Sequence, residues 1–284
     1  MLKPSRFLDP KTDIVFKKIF GQNADLMQSF LNGVLPLPSP IQTIEYLPVE
    51  QSPRIPSMKN TIVDVKCTDD QGRIFIVEMQ LQWSAQFMQR LLFGASKAYV
   101  QQMKPGDVYR SLCPVYGLGI VNAIFDKDSH EWFHHYKIVH IKNTQKTLEG
   151  LELIFLELPK FQPKTWQDKK MGLLWLRFLK ELDGTLTEIP QAFLAEPLLM
   201  KAMELAQEAA YTPAELDAYD RYWDAISVEK TVRLDGYLEG EMKGRKEGEI
   251  TIIEKMLASG MTLTQIATIV GQPVADIQRE LERK

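Results

Sequence analysis

Apolar and polar positions alternate most clearly between Thr61 and Leu81. Thr61-Ile62-Val63-Asp64-Val65-Lys66-Cys67 and Arg73-Ile74-Phe75-Ile76-Val77-Glu78-Met79-Gln80-Leu81 are β-branched runs of strand length. Between them, Asp69-Asp70-Gln71-Gly72 carries the residues of a tight turn, so the pattern predicts a hairpin. Side chains alternate faces along a strand, which puts Glu78 and Gln80 on one face and Val77 and Met79 on the other. On the first arm Asp64 and Lys66 share a face opposite Val63 and Val65. Upstream, Ile14, Val15, Ile19 and Phe20 form a helical stripe opened by Asp9-Pro10 and closed by Gly21. A second helix, Ala24 to Val34, packs by Leu26, Phe30 and Leu31 and is stopped by Pro36, Pro38 and Pro40. Ile41 to Pro48 reads as a strand, and Glu50 to Lys59, with Pro53 and Pro56, as a loop.

Downstream, Ser84 to Met103 has helical periodicity, with Phe87, Leu91, Leu92, Ala95, Ala98 and Tyr99 as its buried stripe and Pro105-Gly106 as its stop. Leu112 to Val121 is apolar throughout, as expected of an interior strand covered on both faces. Trp132 to Ile141 and Leu151 to Leu158 complete a mixed sheet of about five or six strands, ending near residue 160. Helices follow: Lys164 to Leu182 with an aromatic stripe, Pro197 to Ala210, and Pro213 to Val228. Gly236, Gly240, Gly244 and Gly248 then recur every four residues. Each glycine costs a helix roughly 1 kcal/mol relative to alanine. The segment is therefore either a glycine ridge for close helix pairing or a flexible, charge-rich linker. Leu263 to Val270, a turn at Gly271-Gln272-Pro273, and Val274 to Leu281 read as a helix-turn-helix-like tail. The second of these helices offers only Asp276 and Gln278 near its start, so DNA readout and assembly by an αα-hairpin both stay open.

Composition narrows the function. The chain has 284 residues, 45% hydrophobic and 25% charged, an ordinary globular balance with room for a core and a second module. Its formal net charge of −3 argues against broad electrostatic capture of nucleic acid, so any DNA contact needs a local basic patch. Cys67 and Cys113, both placed in predicted strands, look like small buried apolar residues of a reducing compartment. No apolar leader and no run long enough for a membrane span occurs, which points to a soluble, cytoplasmic protein. His130, His134, His135 and His140 invite a zinc reading. Adjacent strand residues face opposite ways, and the tight ligand pairs of zinc sites are missing, so that reading is set aside.

The candidate chemistry lies on the hairpin. A register that sets Asp64 beside Glu78 brings two carboxylates, the Gln80 amide and the Lys66 ammonium onto one patch. Paired carboxylates suit Mg²⁺ or another divalent cation, which takes oxygen ligands. A polar, solvated hairpin face is the plainer account of the same spacing. Asp13 and Lys17 lie four apart on the first helix and form an ordinary surface pair or point toward the patch. Arg90 and Lys97 are either a solvated helix face or contacts to the carboxylates or a phosphate.

Four blocks in order, DPKTDIVFKKIFG (Asp9 to Gly21), IVDVKCTDDQGRIFIVEMQ (Ile62 to Gln80), FMQRLLFGASKAYVQQMKPGDVY (Phe87 to Tyr109) and LCPVYGLGIVN (Leu112 to Asn122), resemble the recombination-promoting nuclease / putative transposase family of the PD-(D/E)XK superfamily. The resemblance covers about the first half of the chain. It implies an α/β, restriction-endonuclease-like mixed sheet flanked by helices, followed by an all-helical C-terminal region. The implied division is a nuclease-like core over 1–160, a helical extension over 161–230, and the glycine-repeat segment with its tail over 231–284. It further implies a metal-dependent DNA endonuclease linked to recombination or mobile elements, with Asp64 and Glu78 as metal ligands and Asp13 as a candidate third acid. Gln80 stands where the wider superfamily usually has Lys, so Lys66 or Lys17 is needed for the missing positive charge. Lys17, Arg90 and Lys97 become possible phosphate contacts, and the C-terminal helical region a route to homo-oligomers. The alternative is a DNA-binding or assembly protein that keeps the fold without turnover.

Overall fold

The structure is a computed structural model that describes residues 6–51, 61–162, 170–186 and 189–282. The chain divides into two compact units, one ending at Tyr219 and one beginning at Asp220.

The first unit is built on a six-stranded mixed sheet flanked by helices. Its helices α1 (Asp13–Phe20) and α2 (Ala24–Val34) precede strand β1 (Ile44–Tyr46), the short pair β2 (Glu50–Gln51) and β3 (Thr61–Ile62), and the hairpin β4 (Val65–Asp69) and β5 (Ile74–Gln80). Helix α3 (Gln86–Gln101), β6 (Val115–Val121), β7 (Phe133–His140) and β8 (Asn143–Glu157) follow, then α4 (Lys170–Glu181), α5 (Gln191–Leu194) and α6 (Pro197–Ala206). The sheet order is β1-β4-β5-β6-β8-β7, with β5, β6 and β8 parallel and the other pairings antiparallel. Parallel register aligns Gln80, Val121 and Glu157 at one end and Ile74, Val115 and Leu151 at the other.

Both faces of the central strands are covered. On one face α3 packs Phe87, Leu91, Ala95 and Ala98 against Ile74, Ile76, Val115 and Phe155. Gly117 and Gly119 make that approach possible. A Cβ at Gly119 would lie 2.9 Å from the rings of both Phe87 and Phe155, and one at Gly117 would lie 2.8 Å from Leu153. A separate aromatic cluster, Phe16, Phe20, Phe30, Trp175 and Phe178, ties α1, α2 and α4 together. Tyr46 on β1 donates its hydroxyl to the Phe20 carbonyl at 2.6 Å and joins that cluster to the sheet.

Several sequence expectations are corrected. The run Thr61 to Cys67 is not one strand: Thr61–Ile62 pairs with Glu50–Gln51, the chain leaves strand geometry at Val63-Asp64, and β4 begins at Val65. Asp9-Pro10 lies in a turn before α1, in which Thr12 bonds back to the Asp9 carbonyl. Glu50 and Gln51 are strand, while residues 52–59 of the expected loop lie outside the described residues, as do residues 164–169 of the helix expected from Lys164. Cys113 precedes β6 and is half-buried; Cys67 is buried within β4, as expected. Strand β8 starts at Asn143, eight residues before the predicted Leu151. The helix expected to end at Val228 continues as α7 (Pro213–Ala258) through all four repeated glycines, so that segment is not a flexible linker.

Within the second unit, the end of α7 packs with α8 (Leu263–Val270) and α9 (Val274–Glu282) around Ile253, Ile266 and Ile277. A capping box between Thr262 and Gln265 starts α8, and Gly271 ends it at φ 68°, a conformation that glycine adopts at little cost. Among the described residues no helix is long and apolar enough to cross a membrane.

Candidate functional site

The β4–β5 register sets Val65 opposite Val77, so one further step places Asp64 opposite Glu78. Here the chain has just left β3, and the Asp64 side chain does work the strand backbone has given up. Its Oδ2 accepts the Met79 N–H at 2.8 Å. Asp64 is half-buried, and its carboxyl is pushed up to about 7, first by burial and further by the charges of Asp13 and Glu78. The Met79 N–H and Lys17 act the other way without cancelling this.

Glu78 is almost fully buried, 3% exposed, and burial raises its carboxyl above the usual range against the pull of Arg90. Arg90 on α3 donates Nε and Nη2 to Glu78 Oε2, both at 3.1 Å, and Nη2 also to Gln80 Oε1 at 2.8 Å. Glu78 Oε1 is buried and without a hydrogen-bond partner among the described residues. An unmatched carboxylate oxygen costs free energy wherever the group is ionised. That atom and the strained Asp64 carboxyl fit a divalent cation as their missing partner.

Asp13 and Lys17 sit where α1 approaches this end of the hairpin. They pair with each other at 2.6 Å, and Lys17 Nζ lies 3.9 Å from Asp64 Oδ1. Asp13 is exposed and turned to Lys17. Among the described residues no three His, Cys, Asp or Glu side chains form a group that could hold a metal ion. As the side chains stand, Asp13 therefore does not join Asp64 and Glu78 in a three-acid group.

Lys66, next but one to Asp64, is nearly buried, and burial together with the charge of Lys97 lowers its ammonium below the usual range. Lys97 on α3 donates to the Gln51 carbonyl. The Gln51 amide, 1% exposed, has no partner for either of its polar atoms among the described residues. Sequence reasoning passed over Gln51, and only its neighbouring proline-rich loop marked the region.

An Asp at a break between strands thus stands across a hairpin from Glu-x-Gln on the next strand. A family model for PD-(D/E)XK nuclease family transposases matches residues 10–233. The chain belongs to that family. No curated protein and no solved structure matches it. The PD-(D/E)XK match takes in the sheet, α1, α3 and every site residue named above, and it stops inside α7.

One polar cluster on the same sheet face escaped the sequence reading. Fully buried Glu157 accepts from the Phe125 N–H and from Lys160 Nζ, both at 2.8 Å, and bonds His134 Nε2 at 2.8 Å. Its needs are met within the chain, which makes it a brace for the end of β8. His135 faces the other way and bonds Glu152 at 2.6 Å, so the two adjacent histidines do not share a site.

Proposed function

We propose that this PD-(D/E)XK protein is a divalent-metal-dependent DNA endonuclease of the cytoplasm that serves recombination or the movement of mobile elements. The observation that carries this is the facing pair Asp64 and Glu78, one carboxyl pushed up to about 7 and the other holding a buried oxygen with no partner among the described residues. The two would hold Mg²⁺ or a similar ion, with the Met79 main-chain carbonyl beside them. Such an ion, when bound, acidifies water and offsets charge on a phosphodiester.

The remaining roles follow from this chain's own atoms. Gln80 spends its carbonyl oxygen on Arg90, which leaves its amide N–H groups to donate to a water or a phosphate oxygen. A neutral amide takes no proton, so Gln80 positions and does not act as base. Arg90 brings a guanidinium to the place where the motif lacks lysine, and its forked donors suit a phosphate. Lys66, its charged form disfavoured by burial and by the charge of Lys97, is the lysine of this patch most disposed to exchange a proton. Lys17 and Lys97 add positive charge at the margin.

Nicking of supercoiled plasmid in Mg²⁺ or Mn²⁺ is expected from the wild type and not from Asp64→Ala or Glu78→Ala. Equal nicking by wild type and Asp64→Ala overturns the assignment. A second reading is favoured by the Arg90 clamp, which already neutralises Glu78: a DNA-binding or assembly protein without turnover, acting through its C-terminal helices, which could also join copies of the chain. DNA binding that needs the second unit, with no cleavage in any divalent metal, would select it.

A further inference from the structure

The far end of the sheet carries a feature that the hydrolytic site does not use. Leu151–Glu157 of β8 pairs with β6 and, among the described residues, residues 143–150 pair with nothing but β7. Beyond the sheet, β7 and β8 therefore run on as a two-stranded arm, exposed without a break from Tyr136 to Glu149. Register shifts fall between Lys137 and Ile138 and between Val139 and His140, and such irregularities increase strand twist. Gly150, at φ 135°, marks the point where the arm leaves the sheet. Isolated two-stranded ribbons are marginal in water, and this one shows Ile138, Ile141 and Leu148 to solvent, so it is built to meet something.

Its charge says what. From Tyr136 to Glu149 the arm carries Lys137, Lys142 and Lys146 against a single acid, Glu149, at its base. In a chain of net charge −3 this is a local reversal of sign. Lys137 is engaged by Glu152 at 3.2 Å. Lys142 and Lys146, at the tip, have no ion pair among the described residues, and Asn143, Thr144, Gln145 and Thr147 between and beside them add neutral donors. We propose that the β7–β8 arm is a second DNA-binding element, a basic ribbon that grips the phosphate backbone of duplex DNA away from the hydrolytic site. Two-stranded ribbons fit DNA grooves. The seven residues from Leu151 to Glu157 put about 20 Å of strand between the base of the arm and the end of the sheet that holds Gln80. The arm thus adds affinity without touching the scissile bond. This rests on the reading of DNA as substrate.

The test is the affinity of the full chain for a 30-base-pair duplex, by fluorescence anisotropy over a salt series in EDTA, for wild type and Lys142→Ala/Lys146→Ala. Each lost phosphate contact removes about 0.9 from the slope of log K against log salt. The double variant should therefore lose about 1.8 in slope and bind roughly 10- to 30-fold more weakly at 0.15 M salt, with unchanged thermal stability. Unchanged affinity and slope, while the wild type binds, overturns the arm and leaves the endonuclease reading standing. A wild type that binds no DNA at any salt overturns both. A variant altered only in oligomeric state by light scattering overturns the proposal in favour of an interface between copies.

Discussion

Asp64→Asn should stabilise the metal-free protein, and increasingly so as pH rises. The Asp64 carboxyl moves from the ordinary aspartate value near 4 to about 7 in the folded chain, burial first and the Asp13 and Glu78 charges after it. A folded-state value above the unfolded one means the folded protein holds a proton that the unfolded chain has released. The carboxyl then imposes no penalty below pH 4, a growing one between pH 4 and 7, and a constant one above. Taken whole, the shift corresponds to about 4 kcal/mol. About a quarter of the side chain is exposed and its neighbours titrate with it, so roughly half of that, ~2 kcal/mol, is the expected difference. For a domain of this size ~2 kcal/mol is about 4–8 °C in Tm. Asparagine keeps an oxygen for the Met79 N–H and carries no charge. Thermal unfolding of both proteins in EDTA from pH 4 to 9 should give curves that meet near pH 4 and separate until about pH 7. Mg²⁺ should raise the wild-type Tm more at pH 8 than at pH 6, because the ion must displace the proton, and should leave the variant unmoved. Parallel curves from pH 5 to 8 would refute the claim that Asp64 is a strained carboxyl awaiting a cation.

Further outcomes follow from single contacts. Gly119→Ala forces a methyl to within 2.9 Å of both Phe87 and Phe155 and should lower stability by about 1–3 kcal/mol in chemical denaturation. It should also slow nicking, because α3 carries Arg90. Lys66→Met removes a nearly buried cation whose charged form the site disfavours. Stability in urea should hold or rise by up to about 1 kcal/mol while nicking falls about 100-fold or more; loss of fold together with activity would make Lys66 merely structural.

What the sequence disclosed depended on whether a local period carried the information. The facing of Asp64 and Glu78 was legible because a period of two, once a turn is fixed, determines register. The break at Val63-Asp64 was not, since Thr61 to Cys67 is uniformly strand-like. The break is imposed from outside, by pairing of Thr61–Ile62 with Glu50–Gln51 and by the Asp64 side chain taking the Met79 N–H. The distal half of β8, Asn-Thr-Gln-Lys-Thr-Leu-Glu-Gly, has no apolar alternation because residues 143–149 are exposed to solvent, so only pairing with β7 reveals it as strand. The glycine repeat left helix and linker both open, and the helix is what forms. Helix α7 outlasts the propensity cost of four glycines while i,i+4 pairs such as Arg245 with Glu249 offset part of it.

The Glu-x-Gln motif and α3 behave as one unit, and this gives the sharpest test of the site. Gly119 lies opposite Glu78 in the β5–β6 register, and its missing side chain lets α3 come close enough for Arg90 to bond Glu78 and Gln80 together. On the proposed reading, the positive charge that the superfamily usually supplies from the strand arrives here from the helix, as the Arg90 guanidinium bonded to Glu78 and Gln80. Gln80→Lys, which restores the usual motif letter, should therefore fail. It sets an ammonium against the Arg90 guanidinium, now 2.8 Å from the Gln80 carbonyl oxygen, at a repulsion of about 1–4 kcal/mol near a protein surface. The single variant should lose both stability and nicking. Arg90→Gln alone should also lose nicking, because it leaves the buried Glu78 without its partner. The double variant, with the cation returned to the strand, should recover much of both. A double-mutant cycle on Tm and nicking rate measures this coupling, expected at 1 kcal/mol or more. Strict additivity would mean that Gln80 and Arg90 are bystanders on a shared surface and that the cation of the site lies elsewhere.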